Sequence, residues 1–292
     1  MLGRARRLCY VAPAIRYRVP AMSDPLLARE RLDAADAPFL LAARLRAPGV
    51  RETPEHRHAR GQLLGADRGL LSVGTGRGRW LVPASDAVWV PPHQPHSLRS
   101  HGAAFSGWSV YVAEAECAAL PAQPCALAVS PLLREAVARA AGWPAGASLD
   151  PAQARLARVL IDEIALAAAG GDDGGRLGLP MPQDPRLLRV ARALADAPDD
   201  PRGLAAWAGL AYLSERSLTR LFAAQTGYSL LQWRQRARLL RALERLAAGE
   251  AVTAVALACG YDSVSAFTAM FRRHLGAAPT RYLQGREDAT AD

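Results

Sequence analysis

A unit of short helix, turn and capped second helix occurs twice in the last third of this chain, and a fold has to accommodate both copies. The first runs from Leu204 to Phe222, with Ser214 placed to cap the second helix and Leu218, Leu221 and Phe222 on its inner face. The second runs from Val255 to Phe271, with Gly260 at the turn, Ser263 at the cap and Phe267 and Phe271 inward. Between them Ser229 and Gln232 form a capping box that opens a long helix to about Ala248. A further helix starts at Asp184-Pro185, and a last turn follows Pro279. Two helices joined by a tight turn are the arrangement that lays the second helix in the major groove of DNA. An unrelated helical bundle accounts readily for one such unit and poorly for two in tandem.

Charge points the same way. From Pro201 to Leu283 there are eleven arginines against Glu215, Glu244, Glu250 and Asp262, a net of +7 out of the +9 of the whole chain. Such a surface binds phosphate backbones without regard to sequence, through counterion release. The chain contains no lysine and no asparagine, so arginine at any one position is not a choice over lysine, and position has to carry the argument. On the first recognition helix Arg216, Ser217, Thr219 and Arg220 lie opposite the apolar face, and arginine bonds guanine O6 and N7 in bidentate fashion. On the second, Ser265, Ala266, Thr268 and Ala269 stand outward, so the first copy is expected to read sequence and the second mainly to position. Arg272, Arg273 and Arg281 are then phosphate contacts, with a solvated basic face as the alternative.

The helical third resembles the AraC/XylS family of transcription regulators. The likeness covers residues 184 to 283 and rests on Leu218 to Phe222, Thr226-Gly227, Gly260-Tyr261, Ser263, Ser265, Phe267, Phe271 to Arg273, Gly276, Pro279 and Tyr282. It implies a seven-helix domain with two recognition helices in adjacent major-groove segments of a double-stranded operator. Arg216, Thr219 and Arg220 match positions through which relatives read bases, and Ala269 stands where some relatives have arginine.

Ahead of residue 129 the text changes to short β-type runs at even spacing: 69 to 74, 78 to 82, 87 to 90 and 106 to 112, separated by Gly, Pro, Asp and Ser. That rhythm predicts a barrel or jelly roll. Two helices follow, one from Ser130-Pro131 and one from Asp150-Pro151 to Ala169. The second carries a stripe of Leu156, Val159, Leu160, Ile164 and Leu166 that serves either packing on the barrel or a dimer seam. Residues 170 to 178, rich in glycine, read as a flexible linker.

Four of the six histidines fall between residues 56 and 96. His56, His58 and Gln62, followed by Pro91-Pro92-His93-Gln94-Pro95-His96, resemble the two cupin motifs, with Gln62 in place of the glutamate and His93 in the glycine position. Period-two spacing puts His56 and His58 on one strand face, and a later strand brings His96 beside them. Three imidazoles and an amide oxygen suit Zn, Fe or Mn, although the missing carboxylate weakens the set. A metal-free effector pocket of His56, His58, Gln62, Trp80, Trp89 and His96, with Trp108 and Tyr111 nearby, is the alternative, as are purely structural histidines. The aromatic lean favours a small aromatic or uncharged effector.

The predicted organisation is therefore α+β and multidomain. It comprises a basic extension (1–22, with Met22 an alternative start), a cupin-like β-barrel or jelly roll (23–128), helices for packing or dimerisation (129–169), a linker (170–183) and an all-α DNA-binding domain (184–285) with helix-turn-helix motifs at 204–225 and 253–275. The expected function is effector-controlled, sequence-specific regulation of transcription by a homodimer, with RNA polymerase as partner if it activates. A metal sensor is the second reading. A cupin metalloenzyme is the weakest, because no nucleophile-base constellation accompanies the histidines. Four cysteines without a C-x-x-C pair, and no apolar run near ~18 residues, predict a cytoplasmic protein with no membrane partner.

Overall fold

The computed structural model describes residues 37–144, 148–170 and 177–282, together with Leu27, Leu32 and Ala34. The basic extension 1–22 and the glycine-rich stretch 171–176 lie outside the described residues.

The N-terminal part is an antiparallel sheet of β1 (Leu40–Pro48), β2 (Glu52–His56), β3 (Gly61–Thr75), β4 (Gly78–Val82), β5 (Asp86–Val90), β6 (His96–Val112), β7 (Cys125–Ala128) and β8 (Gly178–Pro180). The two long strands, β3 and β6, bend where their mutual register shifts between Ala66 and Leu70. Each therefore serves two layers. One layer runs β1-β6-β3-β5-β7 and the other β2-β6-β3-β4-β8. Alternation along β3 then sorts its side chains: Leu64, Leu71 and Val73 fill the space between the layers, whereas Leu63 and Leu70 face outward. Both outward faces are covered, so these strands bury apolar side chains on each side.

Helices α1 (Pro131–Ala140) and α2 (Pro151–Ala169) cover the first layer, packing Leu133, Val137, Leu160, Ile161 and Ile164 against Leu63, Trp89 and Val110. Each starts as its sequence dictates, with Ser130 and Asp150 as side-chain caps and proline in the first turn. The apolar stripe of α2 is only partly used there, since Val159 and Leu166 are exposed, as is Leu132 of α1.

The C-terminal part is helical: α3 (Pro185–Asp196), α4 (Leu204–Leu210), α5 (Glu215–Thr226), α6 (Leu230–Ala247), α7 (Val252–Ala258), α8 (Val264–Leu275) and a final turn over 279–282. Ser214, Ser229 and Ser263 cap α5, α6 and α8, and the box at Ser229 and Gln232 is present. Gly260 turns between α7 and α8 at φ +75°, and a Cβ there would press within 3.1 Å of Asp199.

This domain packs on the second layer. Residues 178–180, which the sequence places in a flexible linker, instead form β8 on the edge of β4, and the Trp233 indole N–H donates to the Pro180 carbonyl at 2.7 Å. A tripeptide paired along β4 and held by the Trp233 indole cannot act as a tether. Leu70 and Leu81 of the sheet join one core with Leu187, Leu240 and Leu243 of the helices. At the centre of the seam His101 Nε2 donates to Ser72 Oγ at 2.8 Å, and Ser72 Oγ donates to Glu244 Oε1 at 3.0 Å. Glu244 sits on α6, is 5% exposed and also faces Arg241 and Arg79 at 3.4 and 3.9 Å.

Burial is the main cause that pushes the His101 imidazole down to about 4; Glu244 pulls it upward, and Arg99, Arg79 and Arg241 oppose the proton. His101 is thus neutral when folded and charges freely when unfolded. Its contribution to stability is complete above pH 6.5 and is lost as pH falls toward 4, by roughly 3 kcal/mol at the lower end. Denaturant titrations between pH 7 and 4.5 should show a steeper fall for the wild type than for His101→Gln.

Candidate DNA interface and effector barrel

The basic surface divides sharply by use. Six of the eleven arginines counted between 201 and 283 are engaged internally. Arg202 and Arg245 pair with Asp200 and Glu250, and Arg241 faces Glu244. Arg234 and Arg238 donate to the Pro198 carbonyl, and Arg236 to that of Gly178. The others, Arg216, Arg220, Arg272, Arg273 and Arg281, are exposed and carry no ion pair among the described residues. These are the arginines that the sequence singled out.

On α5, burial of Leu218 and Phe222 turns Arg216 and Arg220 outward. Thr219 is half-buried, and its hydroxyl donates back to the Glu215 and Arg216 carbonyls at 3.0 and 3.1 Å. Ser217, also half-buried, accepts from the Ser214 hydroxyl at 2.9 Å. The two arginines are therefore the long, unengaged groups of this face. On α8, burial of Phe267 and Phe271 leaves Ser265, Ala266 and Ala269 exposed, with Thr268 half-buried at the margin and Arg272 and Arg273 one turn on.

In the barrel the predicted histidines come together, although His58 lies in the turn after β2 and not, as the spacing predicts, on one strand face with His56; His56 ends β2 and His96 starts β6. Ligand atoms of His56, His58 and His96 lie within 4.8 Å of one another. Gln62, fully buried, points Oε1 at His58 Nε2 and His96 Nε2, both at 3.0 Å, while its amide N–H donates to Ser109 Oγ. Backbone carbonyls hold the far side of two rings: His56 Nδ1 meets the Pro54 oxygen at 2.9 Å and His96 Nδ1 the Gln94 oxygen at 2.8 Å. Burial, with the neighbouring His56 and His58, pushes His96 down to about 3, so the ring is neutral and carries one proton. That proton satisfies one carbonyl-type oxygen and leaves a lone pair against the other. His56 Nε2 is likewise buried without a hydrogen-bond partner. His93 lies apart from the cluster, at φ +61° on the exposed side, beside Glu114.

A cavity of about 30 Å³ opens between the layers next to this cluster. Leu64, Leu71, Leu98, Phe105 and Trp108 wall it, and Arg51, Thr53, Ser100 and Ser109 supply its polar atoms. The Trp108 indole lies across Gly65, where a Cβ would come within 2.2 Å of the ring, and its buried N–H has no acceptor among the described residues.

Residues 207–285 match the helix-turn-helix domain family, and residues 40–231, more than half of the chain, match the AraC-like ligand binding domain family. The chain belongs to the AraC family of transcription regulators. It is 34% identical over 231 residues to the HTH-type transcriptional regulator NimR of Escherichia coli (strain K12), covering 79% of this chain and 82% of NimR. It is 35% identical over 107 residues to the HTH-type transcriptional regulator RipA of Corynebacterium glutamicum, covering 37% of this chain and 32% of RipA. The crystal structure of the DNA-binding domain of AdpA in complex with a target DNA is 31% identical and covers 35% of this chain and 94% of that one, with a TM-score of 0.33.

This AraC-family regulator is thus a DNA-binding protein with an N-terminal ligand-binding domain, and its family and relatives are regulators rather than enzymes. No helix among the described residues is long and apolar enough to cross a membrane.

None of the six expected pocket residues lines this cavity: His56, His58, Gln62 and His96 form the cluster beside it, and the two tryptophans lie elsewhere. Trp89 pairs with Leu63 on the outward face of the first layer, where it is fully buried under α1 and α2 and donates to the Pro121 carbonyl. The strand phase sends it away from the cavity. Trp80 folds over Gly78 and Gly178 at the β4-β8 edge and does not line the cavity either. Sequence reading missed Arg51, Thr53, Ser100 and Phe105, because β2 and the first half of β6 are too polar to read as strands. It also missed the seam residues Ser72, His101 and Glu244. A buried glutamate among helix arginines was the available signal.

Proposed function

We propose that this protein binds a double-stranded operator with α5 and α8 in adjacent major-groove segments, and that a small effector in the barrel controls the binding. The observation that carries the control is the position of the cavity. Leu71 and Ser100 line it from β3 and β6, and their chain neighbours Ser72 and His101, on the opposite face, hold Glu244 of α6. Since α6 connects the two helix-turn-helix units, any effector that moves the cavity wall bears directly on how those units are presented. A coupling of ~1–3 kcal/mol changes affinity about 5- to 150-fold. The cavity as it stands holds little more than a water molecule, so the effector enters by parting its walls. The apolar walls and orphan indole N–H suit a small, mostly apolar or aromatic compound bearing one acceptor.

Exposed Leu132, Val159 and Leu166 on α1 and α2 support homodimerisation through that face. A dimer presents two half-sites, contacts RNA polymerase where it activates, and works in the cytoplasm, where its operator is. Arg216 and Arg220 read bases, with Ser217 and Thr219 supporting them. Ser265 and Thr268 of α8 also face the groove, and Arg272, Arg273 and Arg281 hold phosphates. Arg220→Ala should relax base preference at one segment of a selected operator, whereas Arg273→Ala should weaken cognate and scrambled duplexes alike and lower the salt slope by about 1, both read by fluorescence anisotropy.

For the effector, compounds that raise the thermal midpoint of the wild type should leave Leu71→Trp, whose indole fills the cavity, unchanged. Equal shifts in both would place binding elsewhere.

A specific observation also favours a metal. His56 Nε2, His96 Nε2, His58 Nε2 and Gln62 Oε1 converge, and the carbonyls behind two of the rings fix their orientation as partners behind metal-bound imidazoles do. A divalent ion of the Zn, Fe or Mn type binds there and acts as a structural or sensed centre. Metal analysis of purified protein should find about one ion per chain, lost in His96→Ala. Its absence from both would leave these histidines as structural residues of the barrel.

A further inference from the structure

The two recognition helices share one scaffold and differ in outward chemistry. Each is capped by serine, Ser214 or Ser263, and each buries the residues four and eight places on, Leu218 and Phe222 or Phe267 and Phe271. Equivalent outward positions therefore follow by counting from the cap. Arg216 and Arg220 on α5 correspond to Ser265 and Ala269 on α8, Ser217 to Ala266, and Glu215 to Val264.

Where α5 presents two long guanidinium groups, α8 presents short side chains that end mostly in methyl groups. Val264 is 39% exposed although it is apolar, and with Ser265, Thr268, Ala269 and Arg272 it lines a shallow hollow on the outer surface of the helix. No group at the two equivalent positions can reach a guanine O6 and N7 together. What short side chains permit is close approach of the helix to the base edges. Among those edges only thymine offers a methyl group in the major groove, and apolar side chains discriminate by contact with it.

We infer that α8 reads thymine, through the methyl groups of Ala269 and Val264, in the major-groove segment next to the one where α5 reads guanine. The second helix is then a specificity element in its own right, with Arg272 and Arg273 holding the flanking phosphates. This rests on the reading that both helices enter the groove.

The test starts with selection of duplexes from a random pool by the full chain, followed by titration of the selected duplex in which single thymines of the second segment are replaced by deoxyuridine. That exchange removes one methyl and preserves every hydrogen-bonding group. Loss of one buried methyl should weaken wild-type binding about three- to five-fold at one or two positions. Ala269→Ser should bring that ratio below about two-fold, Ala269→Arg should shift the selected base toward guanine, and Arg220→Ala should keep the deoxyuridine effect while losing preference in the first segment. Equal affinity of the wild type for thymine and deoxyuridine duplexes, or selection of a second segment without thymine, overturns the inference. A pool with no enriched motif overturns the groove reading beneath it, and this inference with it.

Discussion

Burial of β3 and β6 on both faces is the constraint on which the rest of the molecule depends. Fifteen and seventeen residues long, the two strands bend together and belong to both layers, so each carries one set of side chains into the barrel and another out of it. Leu71 and Ser100 meet at the cavity, and Ser72 and His101 at the seam, because of that pairing, and the bend brings Gln62 and His96 together across the layers. The apolar burial behind these contacts is the dominant stabilising term, at about 25 cal/mol per Å². A change inside the barrel therefore cannot be confined to it: stiff, close-packed strands shift as units, and the DNA-binding helices rest on their reverse side.

The seam gives that coupling a polar centre. Glu244 is an anion buried among Ser72, Arg241 and Arg79, with neutral His101 donating through the serine hydroxyl. Such a group is costly unless every partner is in place, because removing one leaves a charge in a site that water cannot reach. The arrangement specifies one relative placement of barrel and helices. The nonpolar contacts of Leu70 and Leu81 alone would tolerate sliding.

The helical domain was largely legible in the sequence. Caps at Ser214, Ser229 and Ser263, the turn at Gly260 and the buried aromatic pairs are local signals, written within one or two turns of chain. The strands were less so. The 69–74 run proved to be the end of a strand starting at Gly61, and β1, β2 and β7 were not read, because their partners lie far away in sequence, the exposed faces of β1 and β2 are charged, and β7 is only four residues long. Net charge was a blunt guide: most of the arginines behind the +7 neutralise carbonyls and carboxylates within the fold.

By itself, the sequence determined the family, the two helix-turn-helix units, the outward arginines and the convergence of three histidines, because each follows from short-range periodicity or a spaced motif. Tertiary structure alone decided which tryptophan faces the cavity, that residues 178–180 extend the sheet, and that Glu244 meets Ser72 from 172 positions away. The physical reason is that strand phase and register are settled by which face finds a partner to bury it, and that partner is distant in the chain.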